Sequence, residues 1–152
     1  MSKSSWLLVV GGLLVVVGLP LVGNWARRTP PGGCALDGGS VDPLLRVRIV
    51  DDQGESRSFC CVTCATIWLK KHAESARSVF VSDELSGEEL EAGKAYFVRS
   101  GVVTKATTEN QIHVFRNAVD AERHAATGGT VLHGEERPFH RWERAGDPAD
   151  RK

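Results

Sequence analysis

Methionine is all but missing from this chain: Met1 is the only one. A metal site built on thioether sulfur is thereby excluded. An excess of one charge is missing as well, because 19 basic residues meet 19 acidic ones. The basic residues are scattered, with no stripe interleaved with aromatics, so nucleic-acid binding has no support. No Ser-His-Asp pattern, nucleophile elbow or phosphate loop occurs, and the sequence offers no ground for catalysis. Charge is absent altogether from one long stretch, between Lys3 and Arg27.

That uncharged stretch is almost wholly Leu, Val and Gly from Trp6 to Val22. Some twenty helical residues reach roughly 30 Å, the thickness of a bilayer core. Trp6 and Trp25 stand at its ends, where an aromatic belt belongs. Pro20 kinks the last turn without preventing a span. The Gly11-Gly12 pair fits helix packing inside it. The competing reading is a cleaved signal peptide, whose apolar region is usually ~7–15 residues long and followed by a small-x-small site. Gly23-Asn24-Trp25-Ala26 is a poor site of that kind. No Cys follows closely enough for a lipid anchor. Residues 1–28 are therefore read as an uncleaved single-pass transmembrane anchor. Lys3 and Arg27-Arg28 nearly balance, so charge alone does not set the orientation.

About 125 residues follow, enough for one domain with its own core. Four cysteines carry its chemistry. Cys34 stands in a glycine-rich turn, Pro30-Pro31-Gly32-Gly33-Cys34-Ala35-Leu36-Asp37-Gly38. Cys60, Cys61 and Cys64 crowd into Phe59-Cys60-Cys61-Val62-Thr63-Cys64. So dense a group of thiols rarely serves packing alone. As thiolates they suit Cu(I) or Zn(II).

The domain reads as α+β, two β-β-α-β repeats. In the first, Leu45–Val50 alternates apolar and polar residues, the period of a half-buried strand. Asp51-Asp52-Gln53-Gly54 turns the chain into a second strand, Arg57-Ser58-Phe59. A helix then starts at once, and Val79-Phe80-Val81 returns as a strand. In the second, Ala95–Val98 and Gln111–Phe115 are the strands, a helix follows, and Thr130-Val131-Leu132 closes the unit. Asp83–Leu90 between them is a polar connector with room for one helical turn. Overlaying the repeats matches Asn117, a good N-cap, with Cys61, and Asp120 with Cys64. Both thiols then lie in a first helical turn, where free N–H groups and the helix dipole lower thiol pKa. Trp68 and Leu69 fall on the apolar face as core. From Glu135 the chain is charged, and residues 134–152 are read as a loosely attached polar tail.

Cys34 with Cys61-x-x-Cys64 provides three ligands, with Cys60 or Asp37 available as a fourth. The lack of a Cys-x-x-Cys pair at Cys34 weakens tetrahedral zinc and suits a lower-coordinate Cu(I) site. A disulfide between Cys34 and one of the three is an open alternative in an oxidising compartment. Cys60, at a strand end, faces away from Cys61 by the period-2 alternation and serves as core or auxiliary ligand. Cys34, Cys61 and Cys64 are thus the expected primary ligands. His113 reads as a hydrogen-bonded, half-buried residue. His72, His124, His133 and His140 read as solvated.

These motifs together resemble the NosL family, copper-binding accessory proteins of nitrous oxide reductase maturation. The resemblance rests on Cys34-Ala35-Leu36, on Phe59 to Cys64, and on Val81-Ser82-Asp83. It continues through Leu90-Glu91-Ala92-Gly93-Lys94-Ala95-Tyr96-Phe97-Val98 and Asp120-Ala121-Glu122-Arg123, then Gly128-Gly129-Thr130-Val131-Leu132. It implies the two-repeat fold over residues 29–133, an extracytoplasmic location and Cu(I) delivery to a metal-recipient protein. Two departures stand out. Gly33 and Leu36 occupy the positions where that family carries Met, and a transmembrane helix replaces its lipid anchor. A second, weaker resemblance is to the Phe-Cys-Cys-x-x-Cys start of treble-clef metal-sensing domains. The expectation is a membrane-anchored, non-enzymatic Cu(I) carrier, with a thiol-disulfide protein or a zinc-stapled interaction module as alternatives.

Overall fold

The computed structural model describes residues 32–143. The proposed anchor and residues 144–152 lie outside the described residues. Within them, no helix is long and apolar enough to cross a membrane.

The first repeat runs β1 (Val47–Asp51), β2 (Ser56–Phe59), α1 (Val62–His72) and β3 (Ala76–Ser82). The second runs β5 (Tyr96–Ser100), β6 (Ile112–Phe115), α2 (Ala118–Ala125) and β7 (Gly129–Leu132). Each makes an antiparallel sheet with its first strand central, β2-β1-β3 and β6-β5-β7. Alternation decides the faces: Val47 and Ile49 are buried while Arg48 and Val50 are less so. On α1, Ala65, Trp68 and Leu69 are buried, and Trp68 packs on Phe59 at 5.5 Å between centroids.

The connector departs from expectation. It turns at Asp83–Gly87, where Gly87 takes φ +74° and its amide donates to the Asp83 carbonyl. Glycine takes that left-handed conformation without the Cβ strain of other residues. The chain then adds β4 (Glu89–Glu91) beside β3. A segment this charged joins a sheet because Glu89 answers Arg48, whose Nη2 lies 2.5 Å from its Oε1.

The connector also ties the halves together. Glu84 exchanges hydrogen bonds with the Val114 backbone, and the Arg116 amide donates to Asp83 Oδ1. His113 is buried more fully than expected, with Nδ1 2.9 Å from Glu84 Oε2. Its Nε2 faces Ser100 Oγ at 2.9 Å and the Val102 carbonyl at 3.2 Å. His124 is not solvated as expected but half-buried, its ring centroid 4.2 Å from that of His113.

The segment from Glu135 is a correction to the expectation of a loose tail. Phe139 is fully buried and meets Phe97 edge-on at 5.8 Å. Arg137 donates to the carbonyls of Ala92 and Ala95, each at 2.9 Å. A last helical turn, α3 (His140–Glu143), brings Trp142 Nε1 to the Ala73 carbonyl. Polar composition outweighs two aromatics when residues are counted. Energetically the order reverses, since burying one Phe is worth about 1.5–3 kcal/mol.

Candidate metal centre

Three chain segments converge at the start of α1. The first is the glycine-rich turn. The Cys34 amide donates to the Gly39 carbonyl and the Gly38 amide to the Cys34 carbonyl, both at 2.8 Å. Gly38 closes the turn at φ +74°. The Ala35 amide donates to the Ser58 carbonyl and pins the turn onto β2. The second segment is the junction of β2 and α1. Cys61 is extended, at φ −168° and ψ 170°, and is the N-cap of α1. The third is the loop after β5, which holds Thr108 and Asn110.

The ligand atoms of Cys34, Asp37, Cys60 and Cys64 all lie within 4.8 Å of one another. At a metal–sulfur distance of about 2.3 Å, donors of a trigonal or tetrahedral site lie about 3.8–4.0 Å apart. The group therefore fits a single soft ion with small side-chain adjustments. Cys34, Cys60 and Cys64 are fully buried, whereas Asp37 is exposed. Sulfur lines the interior of the site and one carboxylate oxygen faces out.

Cys61 stands apart from this group, and Cys60 takes the inward place. Cys60 Sγ lies 3.4 Å from Cys64 Sγ. Cys61 Sγ turns back to accept the Cys64 amide at 3.5 Å and meets Thr108 Oγ1 at 3.2 Å. It remains 4.0 Å from Cys60 Sγ. Alternation does separate the two side chains, but the site is on the face that Cys60 takes. The sulfur of Cys61 is engaged as a helix cap, the role a Ser or Asn usually fills.

Asn110 completes the cap. It is buried, and its Oδ1 accepts from the Thr63 amide at 3.2 Å and from Thr63 Oγ1 at 2.9 Å. Its Nδ2 donates to Thr104 Oγ1 and to the Ile112 carbonyl. Neither Asn110 nor Thr108 was expected at the site. No signal in the sequence marks them; in the fold they flank Glu109, the one non-glycine residue among those described with positive φ, at 49°.

Charge is distributed against the expectation for a helix N-terminus. Burial pushes the Cys60 thiol up to about 12, and burial likewise raises Cys64. Desolvation of a thiolate here outweighs the helix dipole. The Gly39 amide on Asp37, followed by the Cys34 thiol, holds that carboxyl below its ordinary value. A negative oxygen thus sits over protonated sulfurs, and metal binding must release their protons.

No protein-family model matches the chain, and no curated protein matches it. A solved structure does. The chain is similar in fold to a NosL copper chaperone. The crystal structure of the copper chaperone NosL from Shewanella denitrificans matches with a TM-score of 0.61 at 20% identity. The match covers 72% of this chain and 90% of that one. The NosL-like fold and a group of side chains able to hold a metal ion therefore occur together in this chain. At this identity the likeness concerns the fold, while the site must be argued from its own residues.

Proposed function

We propose that this protein is a membrane-anchored, extracytoplasmic carrier of Cu(I) that hands its ion to a recipient protein. The carrying observation is the convergence of three buried thiols and one exposed carboxylate within 4.8 Å. Soft sulfur donors select Cu(I), which accepts low coordination. A closed four-thiolate cage would hold a structural ion permanently. Here one wall is a single exposed carboxylate, which leaves a path for exchange. Cys34, Cys60 and Cys64 hold the ion. Cys61, one step away, is the auxiliary sulfur during transfer. Zn(II) is the second reading, favoured by the presence of a fourth donor in Asp37; metal content of purified protein separates the two.

A competition titration against a chromophoric Cu(I) chelator tests the reading. Disturbing groups around a metal ligand typically costs ~10–100-fold in affinity, and losing a ligand should cost more. Cys34→Ser, Cys60→Ser and Cys64→Ser should each exceed that range, and Cys61→Ser should stay within it. A parent protein that cannot compete for Cu(I) would sink the carrier. A thiol count without reductant separates the disulfide alternative: four free thiols with copper favour the carrier, and two or fewer without metal oppose it. The anchor has its own test. The protein should resist carbonate extraction from membranes, and a mature chain starting near Ala26 would rule the anchor out.

A further inference from the structure

Cys60 and Cys64 approach more closely than one bound ion requires. Their sulfurs are 3.4 Å apart, against about 3.8–4.0 Å for two donors on one metal. A disulfide would need a further approach of only ~1.4 Å. The neighbouring sulfur is otherwise occupied: Cys61 caps α1 and bonds Thr108. Over the pair stands the exposed Asp37 carboxylate, whose Oδ2 is 3.9 Å from Cys60 Sγ and 3.7 Å from Cys64 Sγ. Carboxylate oxygen suits cupric ion, whereas thiolate suits cuprous ion. The centre therefore has an outer donor for one oxidation state and an inner set for the other.

We propose that the centre also reduces Cu(II), with Cys60 and Cys64 as the two-electron donor. This rests on the metal-binding reading of the same groups. Cupric ion lands on Asp37 and meets the sulfurs beneath. Two Cu(II) ions take one electron each and become two Cu(I). Cys60 and Cys64 together lose two electrons and form one S–S bond. Their two thiol protons leave to solvent. Cys34 and Cys61 keep their thiols. The oxidised centre has lost two of its three inner sulfurs, so it releases copper and needs a dithiol reductant before it can carry again.

The test uses the reduced protein, freed of reductant and kept anaerobic. Cu(II) is added with a chromophoric Cu(I) chelator present. Two Cu(I) per protein should appear while two of the four thiols vanish. Alkylation and trypsin should then yield the peptide of residues 58–70 with an internal disulfide and the label on Cys61. This mapping needs no variant. Cys60→Ser should react about tenfold or more slowly than the parent. Survival of all four thiols overturns the proposal, as does a disulfide that includes Cys34 or Cys61. Direct Cu(I) titration under reductant reads the carrier function separately. Protein that binds Cu(I) yet resists Cu(II) refutes the reduction alone. Protein that loses Cys60 and Cys64 to Cu(II) without holding Cu(I) supports the reduction and refutes the carrier.

Discussion

Asn110 is a buried side chain whose loss should be felt at a distance. It satisfies the Thr63 amide and hydroxyl in the first repeat, and Thr104 and Ile112 in its own loop. Removing one partner strands the others, at about 1–3 kcal/mol for a buried polar group. We expect Asn110→Ala to lower the urea midpoint by that equivalent and to weaken Cu(I) binding as well, since α1 presents Cys64. An unchanged midpoint would show that the cap is not structural. At this scale the cysteines were legible, because their density is a local signal. Which of Cys60 and Cys61 faces the site was not. That depends on the face of β2 covered by the Cys34 turn, a long-range fact absent from the spacing. Asn110 was illegible for the same reason.

The His113–Glu84 pair acts between elements, linking β6 to the connector after β3. The Glu84 carboxylate on Nδ1 holds the His113 pKa above its ordinary value, against burial, and the Val102 carbonyl adds to the rise. A folded-state pKa raised above the unfolded one means protonated His113 stabilises the fold. That contribution is complete below about pH 6.5 and disappears as pH rises through the higher folded value. His124 runs the other way: burial, then the His113 charge, lowers its pKa, so it favours the fold at higher pH. Glu84→Gln isolates the first effect. The stability difference between parent and Glu84→Gln should be largest near pH 5.5 and shrink toward pH 8. A difference constant with pH would refute the charged pair. Strands and helices of both repeats were readable from alternation and from the Asn117 and Cys61 starts. Strand β4 was hidden, because Glu89-Leu90-Glu91 looks like a solvated connector until Arg48 is known to stand opposite.

For the molecule as a whole, one core passes through both repeats, joining Val47, Phe59 and Leu69 to Phe97, Val114 and Leu132. Phe139 enters that same core from beyond the second repeat. Phe139→Ala should destabilise by about 3–5 kcal/mol, the usual cost of emptying a buried Phe site. Thermal melts should show one transition moved downward. A shift no larger than that of an exposed substitution would mean the segment is not packed. Composition concealed this because charge dominates the count while two aromatics dominate the energy.

Asn110 lies 47 residues after Thr63, and this spacing sets an order in time. A chain that emerges N-terminus first presents Cys34, Cys60 and Cys64 well before Asn110. During that interval Cys61 alone caps the first turn of α1, because Asn110 has not yet arrived to complete the cap. On the carrier reading, a chain truncated before Asn110 should therefore compete less well for Cu(I) than the whole chain.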